Sequence, residues 1–137
     1  MKTSKLSYKD FLICGLTGWC LEILFTSAGT FFKKDTRLIG QTSLWMFPIY
    51  SMAAIIKPLY GFIKNKSVLF RGGLYSLGIF SFEYLTGSML KKHHSCPWDY
   101  SQSPLNINGV IRLDYAPFWA CAGLVFERIL LHSCLKK

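Results

Sequence analysis

Four apolar runs, separated by short basic clusters, organise this chain of 137 residues. They cover approximately residues 11–32, 43–63, 72–90 and 115–135. Helices rise ~1.5 Å per residue, so runs of about 20 residues cross a hydrocarbon core of ~30 Å. The pattern therefore predicts an all-α membrane protein, a four-helix transmembrane bundle forming a single domain over residues 1–137.

The second run contains three residues that disfavour a continuous helix, namely Pro48, Lys57 and Pro58. Proline inside a helix removes one backbone donor and crowds the preceding turn. We therefore expect this span to break into two half-helices or to form a re-entrant segment.

The connection between the third and fourth runs, residues 91–114, is long and mixes turn formers with apolar residues. Pro97, Pro104 and Gly109 favour turns, whereas Trp98 and Ile107 would be out of place in a solvated linker. This predicts a structured loop between helices 3 and 4, lying in the membrane interface or folded over the helix ends.

Composition agrees with lipid as the solvent. The chain is 51% hydrophobic and only 17% charged, with a net charge of +9. Its lysines and arginines flank the apolar runs, where they would meet anionic headgroups, instead of lining one basic face for nucleic acid. We expect the lipid bilayer as a partner and no nucleic acid.

Basic residues also bear on topology. With four spans, the side shared by both termini carries slightly more of them, which favours cytosolic termini. The near balance would also suit an antiparallel, dual-topology homodimer. The two sets are Lys2, Lys5, Lys9, Lys64, Lys66, Arg71, Lys136 and Lys137 on that side, and Lys33, Lys34, Arg37, Lys91, Lys92 and Arg112 on the other.

Each predicted span carries an ionisable residue: Glu22, Lys57, Glu83 and Glu127. A charge at the centre of a membrane helix costs ~2.5–3.5 kcal/mol on insertion scales. The apolar side chains of the first span return roughly 2.4–4.8 kcal/mol, so one glutamate nearly cancels its drive to insert. Glu22 must therefore face other helices or water.

Helical spacing places each glutamate on a stripe of small residues suited to close packing. The three glutamates could converge on one polar core and bind a cation, a proton or another ligand. Alternatively, Lys57, Arg112 and Arg128 neutralise them and simply hold the bundle together. The stripes are Gly15, Gly18, Glu22, Thr26 and Gly29; Gly72, Ser76, Glu83 and Gly87; and Ala116, Ala120, Gly123, Glu127 and Cys134.

A faint internal similarity links residues 19–24 (WCLEIL) with residues 80–85 (FSFEYL). Both place an aromatic residue three positions before glutamate and leucine two positions after it. A duplicated two-helix unit would explain this, and chance explains it equally well.

Known catalytic and metal-binding patterns are absent from the sequence. It contains no HExxH, GxSxG or Walker A motif, and therefore no ATPase of its own. His93, His94 and Cys96 lack the ligand number and spacing of a zinc site. The five cysteines form no disulfide framework. We predict no catalytic residue, no metal and no cofactor.

Four segments carry a family resemblance: GWCLEILFTSA (18–28), TSLWMFPIYS (42–51), FEYLTGSMLKKHHSCPWDYSQ (82–102) and NGVIRLDYAPFWACAGLVFER (108–128). They resemble the transmembrane protein 229 family of animals, which is related to small bacterial membrane proteins labelled putative type IV ABC-transporter permeases. The resemblance implies four spans and no firmly assigned activity. Where the bacterial pattern often has Asn-Gly-Arg-Ile-Cys, this chain has Asn108-Gly109-Val110-Ile111-Arg112, so its basic residue has moved.

Three functions follow as hypotheses. The first is transport, with a polar intramembrane site; the second is a non-catalytic scaffold or accessory subunit in a homodimer or with other membrane chains. The third is a membrane enzyme acting on lipid. The predicted ligand-binding residues, several of them marked by the family resemblance, are Trp19, Glu22, Glu83, Trp98, Asp99, Tyr100, Asn108, Arg112 and Glu127.

Overall fold

The computed structural model describes residues 5–135, which are mostly helical. Lys2, Lys136 and Lys137, on which part of the topology prediction rests, lie outside the described residues. The elements are α1 (Tyr8–Phe32), α2 (Met46–Ser51), a 3₁₀ segment (Met52–Ile55), α3 (Ile56–Ile63), α4 (Val68–Lys92), β1 (Asn106–Ile107), β2 (Ile111–Arg112), a 3₁₀ turn (Leu113–Tyr115) and α5 (Ala116–Leu135).

The described chain divides into two compact units, an N-terminal unit over Lys5–Ile55 and a C-terminal unit beginning at Ile56. In the N-terminal unit, α1 begins three residues earlier than its apolar run because Ser7 and Asp10 cap it. The Asp10 carboxylate accepts from the Ser7 backbone N–H at 2.8 Å, and the Ser7 hydroxyl accepts from the Lys9 N–H. Such a capping box satisfies donors that the first turn leaves open.

Two glycines allow α1 and α2 to approach closely. A Cβ at Gly15 would lie 2.6 Å from Ser51 Oγ, and a Cβ at Gly18 would overlap the Tyr50 side chain. Trp19 packs on Phe47 with ring centroids 4.8 Å apart. The small-residue stripe predicted on α1 therefore packs, as small residues do where helices meet closely.

The second apolar run is interrupted, as Pro48 and Pro58 led us to expect. Pro48 stands in the first turn of α2, where a missing N–H costs nothing. Pro58 cannot donate to the carbonyl of Ala54 and crowds it. The turn before it accordingly adopts the 3₁₀ segment Met52–Ile55, a common way to accommodate a helix under strain.

In the C-terminal unit, α4 and α5 pack antiparallel. Ser67 caps α4 by accepting from the Phe70 N–H at 3.2 Å. A Cβ at Gly72 would lie 3.4 Å from Ala120 Cβ, and the Ser76 hydroxyl donates to the Ala116 carbonyl at 3.1 Å. These contacts set which residues of the two helices lie at the same level.

The connection between α4 and α5 is structured, as predicted, and contains a short antiparallel hairpin. Asn106 pairs with Arg112, and Ile107 pairs with Ile111. Its turn uses two positive φ angles, 53° at Asn108 and 70° at Gly109, which these residue types tolerate best. The two short strands are the one departure from an all-α fold among the described residues.

Two helical runs in the described chain are long and apolar enough to cross a membrane by length and composition: Tyr8–Phe32 and Met46–Ile63. The predicted third and fourth spans form the helices α4 and α5, which do not meet the same test. The helical architecture is therefore established, whereas a bundle of four spans remains a prediction.

The close approach of α1 and α2 gives a direct stability test. We expect Gly18→Ala to destabilise the protein by about 1–3 kcal/mol, because the new methyl group overlaps Tyr50. The matched control is Gly29→Ala on the same helix, where a Cβ meets nothing within 4 Å. That change should be neutral or slightly stabilising. Thermal unfolding of both purified variants in detergent measures the difference; equal midpoints would contradict the proposed contact.

Candidate functional site

Glu22 lies on α1 and is held by a tyrosine from α2. The Tyr50 hydroxyl donates to Glu22 Oε2 at 2.6 Å. The carboxylate is half-buried. No lysine, arginine or histidine among residues 5–135 forms an ion pair with it. Glu22 therefore has a hydrogen-bond donor but no cationic side chain within the described chain.

Glu127 lies on α5 and is held by two residues of α4. Arg71 donates from Nε to Glu127 Oε2 at 3.0 Å and from Nη2 to Oε1 at 3.1 Å. The Tyr75 hydroxyl also donates to Oε2. The side chain of Glu127 is only 6% exposed, and that of Arg71 only 15%. This is a bidentate ion pair, the geometry in which a guanidinium binds a carboxylate best.

The two glutamates sit in matching surroundings. In each helix a glycine lies four residues before the glutamate, Gly18 before Glu22 and Gly123 before Glu127. Each glycine faces the tyrosine that bonds the glutamate, and a Cβ at either would overlap that tyrosine. The same arrangement of glycine, glutamate and tyrosine, here called the tyrosine–glutamate receptor, therefore occurs once in each unit.

The sequence supports this correspondence. Both tyrosines are followed by serine, Tyr50-Ser51 and Tyr75-Ser76, and a small residue precedes each glycine by three positions, Gly15 and Ala120. The glutamate helix comes first in the N-terminal unit and second in the C-terminal unit. The structural counterpart of Glu22 is thus Glu127, whereas the similarity between residues 19–24 and 80–85 had linked Glu22 with Glu83.

The two receptors differ in the residue one helical turn before the tyrosine. Arg71 stands one helical turn before Tyr75, and Met46 stands one turn before Tyr50. An apolar thioether replaces the guanidinium. Glu127 is therefore neutralised by its own chain, and Glu22 is not neutralised by any cationic side chain among the residues described.

Glu83 occupies a separate level of the C-terminal unit. It is buried on α4, eight residues beyond Tyr75, which corresponds to ~12 Å along a helix. Its charge acts with that of Asp99 on Cys96, whose pKa is raised mainly by burial. Glu83 therefore lies about two helical turns along α4 from Tyr75, in the direction of the connecting loop.

The predicted loop residues form a cap on that end of the C-terminal unit. Trp98 donates to the Val110 carbonyl at 2.9 Å, and its ring covers Gly87, where a Cβ would lie 2.9 Å from the ring. The Tyr100 N–H donates to the Gly109 carbonyl at 2.9 Å. The Ser101 side chain and backbone donate to Asp99, which lowers the pKa of that carboxyl.

The remaining loop residues, Asn108 and Arg112, also have partners within the cap. The Asn108 side-chain amide donates to the Tyr84 hydroxyl at 2.9 Å, and the Asn108 backbone carbonyl accepts from Lys91 Nζ at 3.0 Å. Arg112 pairs with Asp114 at 2.8 Å and lies over the Tyr115 ring, 4.4 Å from its centroid. These contacts fold the loop onto the helix ends.

The predicted ligand-binding residues lie in both units. Trp19 and Glu22 lie in the N-terminal unit, where Trp19 donates to the Ser43 carbonyl at 3.0 Å. Glu127 lies between α4 and α5. The others lie at the cap or next to it: Glu83, Trp98, Asp99, Tyr100, Asn108 and Arg112.

Two of the three basic residues expected to neutralise the glutamates, Arg112 and Arg128, form no ion pair with a glutamate among the described residues. Arg112 pairs with Asp114 instead of a glutamate, and Arg128 is exposed. The residues that do contact Glu22 and Glu127, namely Tyr50, Tyr75 and Arg71, were missed. Arg71 had been assigned to the basic cluster flanking the third span, yet it lies four residues inside α4 and one turn before Tyr75. The spacing of four residues between Arg71 and Tyr75, which puts both side chains on one face of a helix, could have indicated these partners.

Within residues 5–135 no three His, Cys, Asp or Glu side chains group so as to hold a metal ion.

A family model described as "Putative ABC-transporter type IV" matches residues 10–137, almost the whole chain. No solved structure matches the chain.

We expect the buried Arg71–Glu127 ion pair to contribute much more to stability than the Arg37–Asp35 pair. Arg71→Ala should destabilise the protein by about 3 kcal/mol, since it leaves the buried Glu127 with only the Tyr75 hydrogen bond. Arg37→Ala removes an exposed pair with Asp35 and should leave the unfolding midpoint nearly unchanged. Thermal unfolding in detergent compares them, and a comparable small loss in both would show that Glu127 does not depend on Arg71.

Proposed function

The chain belongs to the Putative ABC-transporter type IV family, and from this premise we propose that it is a transport-related integral membrane protein. Its polar intramembrane site centres on Glu22 and Tyr50. We further propose that the four helical runs are four membrane spans, and that within the family the chain stands near the transmembrane protein 229 group.

The surface of α4 supports its assignment as a span. Its outward side chains include Leu69, Leu77 and Leu85, which are 89%, 66% and 68% exposed. Arg71 turns inward onto Glu127 and Glu83 into the interior, whereas the exposed Lys91 and Lys92 lie in the last turn of the helix. A water-facing helix has the opposite arrangement, so this pattern favours lipid around α4.

The observation that carries the transport proposal is the contrast between Glu22 and Glu127. A carboxylate in a membrane span needs a proton or a cation to offset the loss of water. Arg71 supplies that cation permanently to Glu127. Glu22 receives only the Tyr50 hydroxyl from the described residues, so its neutralising species is exchangeable. An exchangeable proton or cation at mid-span is what a coupled transporter requires.

An accessory membrane subunit is the second candidate. The sequence contains no Walker A motif, so a transporter driven by ATP would take its ATPase from another chain. In that case Glu22 would pair with a cationic residue on a neighbouring membrane helix. The lipid-enzyme hypothesis gains no support from the cap, where Arg112 is engaged by Asp114 and is not displayed to a phosphate.

The decisive test is flux through reconstituted protein. Proton, Na⁺ and K⁺ movements into proteoliposomes should include at least one saturable flux, and Glu22→Gln should reduce it by about tenfold or more, because the amide cannot carry the charge. Asp35→Asn, which changes an exposed carboxylate outside the spans, should leave it unchanged. Equal thermal midpoints would show that both variants are folded.

Undiminished saturable flux in Glu22→Gln would contradict the site. No flux in any protein, together with a stoichiometric membrane partner that Glu22→Gln fails to retain, would favour the accessory subunit instead.

A further inference from the structure

In the C-terminal unit, the tyrosine–glutamate receptor is occupied by an arginine side chain of the same unit. Gly123, Glu127 and Tyr75 form the receptor, and the guanidinium of Arg71 is its ligand. The N-terminal unit repeats the receptor with Gly18, Glu22 and Tyr50.

In the occupied receptor, the guanidinium of Arg71 and the carboxylate of Glu127 meet at two points. Arg71 Nε and Nη2 each meet a different oxygen of Glu127, at 3.0 and 3.1 Å. The tyrosine hydroxyl takes a further lone pair of the oxygen that Nε contacts. A guanidinium and a carboxylate joined in this way form two parallel charge-assisted hydrogen bonds.

The N-terminal receptor has the same tyrosine contact and no guanidinium among the residues described. Tyr50 donates to Glu22 Oε2, and no donor within residues 5–135 reaches Oε1. Met46 stands where Arg71 stands in the other unit. We propose that Glu22 and Tyr50 bind a guanidinium-type cation supplied from outside the chain's own fold. This inference deepens the proposed function, since it names the cation class of the same site.

The chemistry of the receptor disfavours divalent cations and ammonium groups as ligands. Mg²⁺ and Ca²⁺ take six or more oxygen ligands, whereas one carboxylate and one hydroxyl provide about three. An ammonium is more strongly hydrated than a guanidinium and cannot make the two-point fit.

The guanidinium could belong to a free solute or to an arginine of a second membrane chain, including another copy of this protein. The recognition chemistry is the same for both. The mass of the detergent-solubilised protein, measured with and without methylguanidinium, separates the two sources. If the natural ligand is a free solute, methylguanidinium leaves this mass unchanged. If it is an arginine of a partner chain, methylguanidinium displaces that arginine and releases the partner, so the mass falls.

The binding experiment uses the full chain in detergent and radiolabelled methylguanidinium in equilibrium dialysis. We expect saturable binding that Glu22→Gln weakens by about tenfold or more, as for loss of a charge-assisted pair. Met46→Arg should abolish it, because a tethered guanidinium fills the receptor as Arg71 does. Met46→Leu and Asp35→Asn, the matched controls, should bind as the parent protein does.

A double-mutant cycle of unfolding midpoints tests the inference independently of ligand binding. Met46→Arg should raise the unfolding midpoint above that of Met46→Leu in the parent protein, and the gain should vanish when Glu22→Gln is also present. Absence of saturable binding by the folded parent protein, or binding that is equal in Glu22→Gln, would overturn the inference. Flux of another cation with no methylguanidinium binding would overturn it while leaving transport intact. Binding without any flux would leave it standing and overturn transport.

Discussion

The hydrogen bond between a tyrosine on one helix and a glutamate on its neighbour is the interaction around which each unit is arranged. It requires the two helices to approach closely, and glycine at position 18 or 123 makes that approach possible. The tyrosine ring lies on the glycine while its hydroxyl reaches the carboxylate one turn further along. Packing and polar chemistry are therefore satisfied by the same residues, which is economical in a membrane, where an isolated carboxylate is costly.

The three glutamates are consequently not equivalent. Glu127 is closed off by Arg71 and serves the packing of α4 and α5. Glu83 lies near the cap, at another level of α4. Glu22 combines a tyrosine donor with partial exposure and lacks a cationic side chain among the described residues. Under the proposed function, the exchangeable counterion of Glu22 makes a binding site, whereas Arg71, the permanent counterion of Glu127, makes a structural element. The N-terminal unit has Met46 at the position that corresponds to Arg71.

The loop between α4 and α5 is ordered and folded over the helix ends, as its composition predicted. Trp98, Asp99 and Asn108 bond to the loop itself and to α4. The Trp98 ring closes over Gly87, and the turn at Asn108 and Gly109 sets the hairpin. These contacts hold the helix ends together.

The sequence by itself determined the helical runs, the break before Pro58, the ordered loop and the placement of glutamates on small-residue stripes. Each of these follows from local chemistry: apolar length, a missing proline donor, turn residues and helical periodicity. Only the tertiary structure decided the partners. Arg71 stood beside a basic flank in sequence, and Tyr50 lies 28 residues from Glu22. Such pairings depend on which helices pack and in which register, and periodicity within one helix carries no information about the facing helix.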